Sequence, residues 1–296
     1  MAEPPLKPFE ANVTSQAGED GVIARALELL GERDGWCVEF GAFDGREASN
    51  TYSLIASHGY SAVLIESDPV RFASLRATHR DRPAVHTLQR MVGFDGEDSL
   101  DRLLADTPAP IDFDLLSIDI DGNDYHAWEA VREYRPKLVV IEFNPTIPNE
   151  VDFVQPRAPA VRQGASLTAI ARLAREKGYR LVHATTLNGV FVDERYFDRF
   201  GVADDSPSAL RTDLSLVTWL YQTYDGRLHL SGCDRLLWHD APLNRRRLQQ
   251  VPRPLRDFPE QLPKARRLAY RLWRGYRDPA AELRRWTSRI KRPGRS

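Results

Sequence analysis

The chain has 296 residues, of which 42% are apolar and 28% charged, and its formal net charge is −1. This length is enough for one sizeable α/β core. The longest apolar runs, such as 138–143, are far shorter than the roughly 20 residues that cross a bilayer, and the opening MAEPPLKPFE has no apolar signal region. We therefore expect a cytoplasmic protein. Cys37 and Cys233 lack metal-binding or disulfide-framework spacing, which favours two buried free thiols.

Short apolar runs alternate with amphipathic segments through the first half of the chain. A helix is predicted for 19–30 from its helical spacing of apolar residues. The runs that we interpret as strands are 36–41, 61–66, 84–89, 113–119 and 137–143, and the helices predicted between them lie near 48–58, 69–79, 98–106 and 123–134. Because parallel strands need crossover connections, which helices supply, this alternation predicts a parallel sheet with helices on both faces.

Residues 145–164 interrupt this alternation with four prolines and little periodicity, which predicts a long loop over the carboxyl edge of the sheet. A helix is predicted again for 166–177, followed by an antiparallel hairpin whose turn contains Asn188 and Gly189. A parallel five-strand core closed by a helix and a hairpin is the order expected of class I methyltransferases. We therefore predict an α/β, Rossmann-like class I methyltransferase sheet.

Three parts of the chain are distinguished by their patterns. Residues 1–197 carry the strand and helix alternation and are assigned to the methyltransferase domain. Residues 198–263 are interpreted as a family-specific extension, in which Asp225 and Gly226 indicate the turn of a hairpin. Residues 264–296 form a basic, amphipathic tail.

The segment VEFGAFDG, residues 38–45, follows a predicted strand and opens a helix. Gly41 and Gly45 would let the backbone approach a ligand without a Cβ clash, and Glu39 could meet the ammonium group of that ligand. The spacing is neither GxGxxG nor GxxxxGK[ST], which disfavours nicotinamide cofactors and P-loop phosphate binding. A purely structural turn remains the alternative.

Glu66 ends the second predicted strand, and a carboxylate there can accept hydrogen bonds from both ribose hydroxyls of an adenosine. Asp68 is a possible helper. The alternative for both is an acid solvated at the end of a strand.

The segment SIDIDGND, residues 117–124, ends the fourth predicted strand. Ligands of open α/β sheets bind outside the carboxyl ends of the strands, so Asp119 and Asp121 should face the same crevice as Glu66. The glycine and glutamate positions of an EF-hand are absent, but Asp119, Asp121 and Glu142 could form a looser Mg²⁺ site. Asp124 is interpreted as an acid favoured by a helix N-terminus.

These blocks resemble the successive motifs of FkbM-type S-adenosylmethionine-dependent methyltransferases, whose last block commonly contains a lysine followed by IDVEG. The opening SQAGED, residues 15–20, is also similar to the lead-in of many members, and the resemblance covers about 15–193. Ser117 stands where many members have lysine, and Asp121 replaces the usual glutamate. A catalytic role that depends on that lysine is therefore lost here.

The resemblance implies S-adenosylmethionine as cofactor and O-methylation of a sugar, a glycan or another small hydroxylated substrate. It implies that Asp119 lies beside the transferred methyl, with Asp121 as a second catalytic candidate. Gln16 and Asp20 would close over the cofactor, and 89–92 would contact the adenine. The cofactor-binding residues assigned to this site are Glu39, Gly41, Asp44, Gly45, Glu66 and Asp119.

Methyl transfer from a sulfonium is an in-line displacement, so holding the nucleophile in the correct direction supplies much of the catalysis. An alcohol must still lose its proton, and an aspartate with an ordinary pKa of about 3.9 is a weak base. A raised pKa, a metal or a histidine would resolve this. His126 and His183 are possible assistants, although lone histidines more often serve a structural role.

The tail from 264 to 296 contains 12 Lys and Arg against two acidic residues, a net charge of +10, so the remainder of the chain carries −11. Leu268, Leu272 and Trp273 form an apolar stripe among arginines, as in helices that bind anionic membrane surfaces. We therefore expect peripheral attachment at the inner membrane face, with a solvated helix packed on the acidic part of the chain as the alternative.

The sequence leaves two other functions open. One is a cofactor-binding scaffold without turnover in a membrane-associated assembly. The other is a nucleic-acid methyltransferase, which only the basic tail suggests, and no NPPY-like signature follows the fourth predicted strand. Nucleic acid is therefore the least favoured partner.

Overall fold

Seven strands form the main sheet of the protein, seen in a computed structural model that describes residues 3–281 and 283–284. The strands are β1 (Trp36–Phe40), β2 (Ser61–Glu66), β3 (Val85–Gln89), β4 (Leu115–Ile118), β5 (Leu138–Glu142), β6 (Tyr179–Ala184) and β7 (Asn188–Asp193). Their spatial order is β3-β2-β1-β4-β5-β7-β6. Strands β1 to β5 run parallel to one another, whereas β7 is antiparallel to both β5 and β6. The predicted α/β, Rossmann-like sheet, a parallel core closed by an antiparallel hairpin, is therefore confirmed.

Helices cover both faces of this sheet, as predicted. They are α1 (Glu19–Leu30), α2 (Tyr52–His58), α3 (Pro69–Thr78), α4 (Leu100–Ala105), α5 (Asp124–Ala130), α6 (Leu167–Glu176) and α7 (Pro207–Leu210). Successive side chains of a strand point to opposite faces, and Cys37 and Val38 accordingly belong to different apolar clusters. The cluster of Val38 includes residues of α4, α5 and α6, and that of Cys37 includes residues of α1, α2 and α3.

The limits of two helices have identifiable causes. Helix α6 begins after Ser166, whose hydroxyl accepts a hydrogen bond from the Ala169 N–H at 3.2 Å, as predicted for an N-cap. Helix α5 was predicted to reach residue 134 but ends at Ala130. The N–H of Arg132 instead donates to the carboxylate of Asp101 at 2.6 Å, which diverts the chain from the helix.

The predicted loop at 145–164 is organised around the buried amide of Gln155. Its Oε1 accepts hydrogen bonds from the N–H groups of Gln163 and Gly164, at 2.7 and 2.8 Å. Its Nε2 donates to Oδ1 of Asn123 at 2.8 Å. Because Asn123 immediately precedes α5, this bond ties the loop to the carboxyl edge of the sheet, as predicted.

The chain divides into two compact units, Met1–Val217 and Thr218–Ser296. The boundaries drawn from the sequence after 197 and 263 stay a prediction. The second unit contains the antiparallel pairs β8 (Thr218–Gln222) with β9 (Leu228–Gly232) and β10 (Arg235–Leu236) with β11 (Ala241–Pro242), and the helices α8 (Arg245–Leu248) and α9 (Lys264–Arg277). The hairpin predicted at Asp225 and Gly226 is thus present.

Two expectations from composition have different outcomes. Cys37 is buried, but Cys233 is only partly buried, so the prediction of two buried thiols was wrong for the second one. Cys233 lies between β9 and β10 of the second unit. Within the described part of the chain, no helix combines the length and apolarity that crossing a bilayer requires.

Candidate active site

A cleft opens where the parallel strands end. Its lining includes Gly41 after β1, Ser67 after β2 and Ile120 after β4, together with residues 90–94 after β3. It encloses about 120 Å³ and is open to solvent. Since small-molecule sites usually measure about 300–1,000 Å³, a nucleoside-sized ligand would also extend over the open rim, where Met91 is 53% exposed.

The two glycines after β1 are required by neighbouring protein atoms. Gly41 has φ of 76°, and a Cβ built there would lie 1.6 Å from the carbonyl oxygen of Asp119. Gly45 has φ of 75°, and a Cβ there would meet the side chains of Leu75 and His79 at 2.4 and 2.7 Å. These glycines therefore bring the ends of β1 and β4 together and seat the turn on α3. The cofactor contact assigned to them stays a prediction.

Glu39 is fully engaged by the loop that precedes α2. Its carboxylate accepts hydrogen bonds from the hydroxyls of Ser49 and Thr51, both at 2.7 Å, and from the N–H of Asn50 at 2.9 Å. Burial raises the pKa of Glu39, and these hydrogen bonds oppose that rise. Asn50 also donates to Oγ of Ser117 on β4 at 3.1 Å. Glu39 thus orders the loop above β1 and β4, and its contact with a cofactor ammonium group stays a prediction.

Two other acidic residues have local partners. Oδ1 of Asp44 accepts from the N–H groups of Arg46 and Glu47 at 2.9 and 2.8 Å, which closes the turn after β1. Oδ1 of Asp68 accepts from two N–H groups at the start of α3, both at 2.9 Å, so Asp68 is the N-cap of that helix. The cofactor contact of Asp44 stays a prediction, and Asp68 has a structural role.

Glu66 retains capacity to accept hydrogen bonds. Its Oε2 accepts from the N–H of Phe43 at 3.0 Å, and its Oε1 accepts from the N–H of Asp68 at 2.7 Å. The Ser67 hydroxyl also donates to Oε1, at a long distance of 3.5 Å. A carboxylate offers about four acceptor positions, so at least one position remains for a ribose hydroxyl. Glu66 is 4% exposed, and its neighbours Ile65 and Ser67 line the cleft.

Three carboxylates meet where β4 and β5 end. Asp119, Asp124 and Glu142 each place a carboxylate oxygen within 4.8 Å of the others. Burial and the neighbouring acids raise the pKa of Asp119 to about 7 and that of Glu142 to about 10. Because like charges this close cannot all ionise, Asp119 and Glu142 together retain a proton near neutral pH.

Asp124, and not Asp121, is the third member of this cluster. Burial raises the pKa of Asp124 to about 6, and its carboxylate accepts from the N–H groups of Ile120 and Gly122, both at 2.8 Å. Asp121 has φ of 56°, its side chain is 64% exposed, and Arg162 lies 4.0 Å away. The structure thus groups Asp119 and Glu142 with Asp124, and the cation set of Asp119, Asp121 and Glu142 stays a prediction. The alternation of side chains between the two faces of a regular strand does not extend through the backbone at Asp121, which is left-handed.

The two histidines considered as bases have other partners. Nε2 of His126 lies 2.9 Å from the carbonyl oxygen of Gln155, and Nε2 of His183 lies 2.9 Å from Oε1 of Glu10. Neither belongs to the carboxylate cluster, and burial lowers the pKa of His183.

The lead-in to α1 is held by Asp20. Its Oδ2 accepts from the N–H groups of residues 13, 14 and 15 at 2.7 to 2.8 Å. Thr14 in turn donates to the carbonyl oxygen of Ser49 at 3.1 Å, which joins this segment to the loop that Glu39 orders. Gln16 is exposed, and the closure of Gln16 and Asp20 over a cofactor stays a prediction.

Sequence reasoning missed Arg162, which lines the cleft wall from the loop that Gln155 organises. Arg90 and Asn123 also line the cleft, and they lie in the segments 89–92 and 117–124 that the sequence had indicated. The adenine contact of 89–92 stays a prediction. Nothing in the sequence distinguishes Gln155 from an exposed loop amide, since its burial depends on how the loop folds back.

Comparisons with known proteins give similarity in structure only. No protein-family model and no curated protein sequence matches the chain. A methyltransferase from Aquifex aeolicus that depends on S-adenosylmethionine has 12% identity over 64% of this chain and 98% of its own, with a TM-score of 0.37. A candidate sarcosine dimethylglycine methyltransferase from Galdieria sulphuraria has 14% identity over 54% of this chain and 60% of its own, with a TM-score of 0.36.

The monomeric form of WbdD, a bifunctional kinase-methyltransferase, has 16% identity over 57% of this chain and 41% of its own, with a TM-score of 0.36. The chain therefore spans well under two thirds of WbdD and slightly under two thirds of the Galdieria protein. The structural neighbours are methyltransferases, and at these identities the similarity concerns the fold alone.

Proposed function

We propose that the chain is an S-adenosylmethionine-dependent methyltransferase that transfers a methyl group to a hydroxyl oxygen of a sugar, a glycan or another small substrate. The observation that carries this proposal is the placement of Asp119, with a pKa raised to about 7, beside the strand ends that form the cleft. The finer assignment to FkbM-like methyltransferases rests on the motifs at 38–45, Glu66 and 117–124.

In this proposal Glu66 binds the ribose of the cofactor, and the turn after β1 lies along the cofactor. S-adenosylmethionine would supply an electrophilic methyl group on its sulfonium. Asp119 takes the proton of the substrate hydroxyl, and a base whose pKa is near the working pH is well suited to that transfer. Glu142 forms a hydrogen bond with Asp119 and keeps that carboxylate oriented. Asp121 stays a second candidate at the exposed rim.

A Mg²⁺ ion at Asp119, Asp124 and Glu142 is a further part of the proposal, because oxygen ligands from carboxylates suit this ion. Such an ion would favour the ionised carboxylates and could bind the substrate oxygen. If it takes part, chelation should abolish the wild-type rate and added Mg²⁺ should restore it. An unchanged rate after chelation removes the metal from the proposal.

The function is tested by incubating the full chain with S-adenosylmethionine labelled on its methyl group and with fractionated cell extract. We expect label in a fraction of hydroxylated small molecules or glycans, and the label should be stable as an ether. Binding of the cofactor without any transfer of label would favour the non-catalytic scaffold. Label in nucleic acid would favour the least expected alternative.

We also propose that the basic tail attaches the protein to an anionic membrane surface at the inner membrane face. In α9, Leu268, Leu272 and Tyr276 are 60, 68 and 84% exposed and lie four residues apart, which places them on one face. Residues 282 and 285–296 of the tail lie outside the described residues.

Full-length protein should sediment with anionic liposomes and scarcely with neutral ones, and salt should weaken the binding by screening the arginines. Replacing Leu268 and Leu272 by serine should reduce the bound fraction severalfold. Equal sedimentation of this variant and the wild type would contradict the role of α9.

A further inference from the structure

The second unit carries the opposite charge to the first. Residues 218–296 contain 19 Lys and Arg against 7 Asp and Glu, a net charge of +12, whereas residues 1–217 contain 22 against 35, a net charge of −13. Part of the positive charge lies in the tail, but part of it surrounds a cleft that precedes the tail.

This arginine cleft has a volume of about 780 Å³, within the range of about 300–1,000 Å³ that is usual for small-molecule sites. Its polar lining is dominated by cations, and among the described residues no carboxylate lines it. The cationic and imidazole side chains of the lining are Arg227, Arg245, Arg246, Arg253, Arg256 and His229.

The walls of the arginine cleft are held in register by a two-way hydrogen bond. Oε1 of Gln249 accepts from the N–H of Leu228 at 3.1 Å, and Nε2 of Gln249 donates to the carbonyl oxygen of Leu228 at 2.7 Å. This pair joins β9 to the end of α8, and it therefore fixes Arg227 opposite Arg245 and Arg246. The shape of the arginine cleft therefore does not depend on the arginine side chains, because the Gln249–Leu228 hydrogen bonds connect its walls.

Among the residues that the structure describes, acidic partners are present for two of the five guanidinium groups. Arg227 pairs with Asp225 at 2.9 Å, and Arg245 pairs with Asp234 at 3.1 Å. Arg256 donates to the carbonyl oxygen of Val251, which carries no charge. Neither Arg246 nor Arg253 forms an ion pair with any carboxylate that the structure describes. About three positive charges in one cleft are thus left without a counter-charge.

We propose that the arginine cleft binds the diphosphate group of a ligand. Guanidinium groups bind phosphoryl oxygens in bidentate fashion, and a diphosphate carries two to three negative charges, which matches the uncompensated arginines. Crowded guanidinium groups repel one another, and an anion in the cleft would relieve that repulsion. The arginine cleft is an anion site separate from the cofactor site proposed for the first unit.

The choice of ligand class rests on the proposed function. A methyltransferase that acts on sugars would meet its substrate as a diphosphate-linked sugar, either soluble on a nucleoside or attached to a polyprenyl lipid. Both sources present the same diphosphate, so the arginine cleft recognises the chemistry that they share.

The test is calorimetric titration of the full chain with inorganic pyrophosphate. The cleft variant is Arg246→Gln with Arg253→Gln, which removes the two exposed arginines that lack ion pairs. The matched control is Arg247→Gln with Arg266→Gln, which removes the same charge from two exposed arginines that do not line the cleft. We expect wild type to bind, the cleft variant to lose at least tenfold in affinity, and the control to lose less than twofold.

Competition with uridine diphosphate and with geranyl diphosphate would then distinguish a soluble from a lipid-linked source. The absence of pyrophosphate binding, or equal losses in both double variants, would overturn the proposal. Much tighter binding of a single-stranded oligonucleotide than of pyrophosphate would overturn it in favour of a nucleic-acid surface. S-adenosylmethionine affinity, measured on the same samples, should not differ among them, so failure of the arginine cleft and failure of the proposed function are distinguishable.

Discussion

Two groups of carboxylates lie at the same edge of the sheet, and they differ in the hydrogen-bond donors that surround them. At the end of β1, Glu39 accepts three hydrogen bonds from its own loop. At the ends of β4 and β5, Asp119 and Glu142 face each other and share a proton. A carboxylate that accepts several hydrogen bonds stabilises the local structure. Carboxylates that only face one another can instead exchange protons or bind a cation.

The largest effect should follow from Asp119→Asn. Since general-base catalysis contributes about 10²- to 10⁴-fold, we expect turnover to fall by that amount while the affinity for S-adenosylmethionine changes little. Asp121→Asn is the comparison, and its exposed side chain should make its loss under about tenfold. Comparable losses of turnover and affinity in Asp119→Asn would contradict a role beside the methyl group.

The wild-type rate should also depend on pH through this residue. It should rise as Asp119 loses its proton, with a midpoint near its pKa of about 7. A rate that stays constant across that interval would show that Asp119 is not the base.

Glu39→Ala should affect stability most. The substitution leaves two hydroxyls and one N–H in a buried loop without their acceptor, which should cost about 2–4 kcal/mol of unfolding free energy. Urea unfolding measures it, with the exposed Glu47→Ala of the same turn as control. If Glu39→Ala lost no more unfolding free energy than Glu47→Ala, this result would contradict the stabilising role of Glu39 that distinguishes it from Asp119 and Glu142.

Glu142→Gln should change how stability depends on pH. The folded-state pKa of Glu142 is raised to about 10, so its contribution to stability is complete below its ordinary pKa and is lost as pH rises toward 10. Between pH 5 and 8 the unfolding free energy of the wild type should therefore fall, by about 1 kcal/mol or more relative to Glu142→Gln. Parallel pH curves for wild type, Glu142→Gln and the exposed control Glu133→Gln would contradict a raised pKa of the partly buried Glu142.

Much of the fold could be predicted because its signals are local. Strand and helix periodicity, the capping hydroxyl of Ser166 and the turn at Asp225 and Gly226 each depend on a few neighbouring residues. The end of α5 could not be predicted, because it depends on hydrogen bonds to Asp101, which is distant in sequence.

The candidate site could be predicted in position but not in detail. The rule that ligands bind at the carboxyl ends of strands brings Glu66, Asp119 and Glu142 to one edge. The sequence could not predict that Asp124, and not Asp121, lies beside Asp119 and Glu142. The positive φ of Asp121 turns the Asp121 side chain outward, and the Asp124 side chain then points inward. The raised pKa of Asp119 likewise depends on burial that the sequence does not display.

The central claim is that the edge of the first unit's sheet holds S-adenosylmethionine. Calorimetric titration of the full chain with the cofactor and with its demethylated product tests it most directly, using Glu66→Ala and the exposed control Asp81→Ala. We predict micromolar binding of both ligands, a loss of about tenfold for both in Glu66→Ala, because removing an acceptor of the ribose hydroxyls costs on the order of 1.4 kcal/mol, and no change in the control. Folded wild-type protein that binds neither ligand would contradict the account.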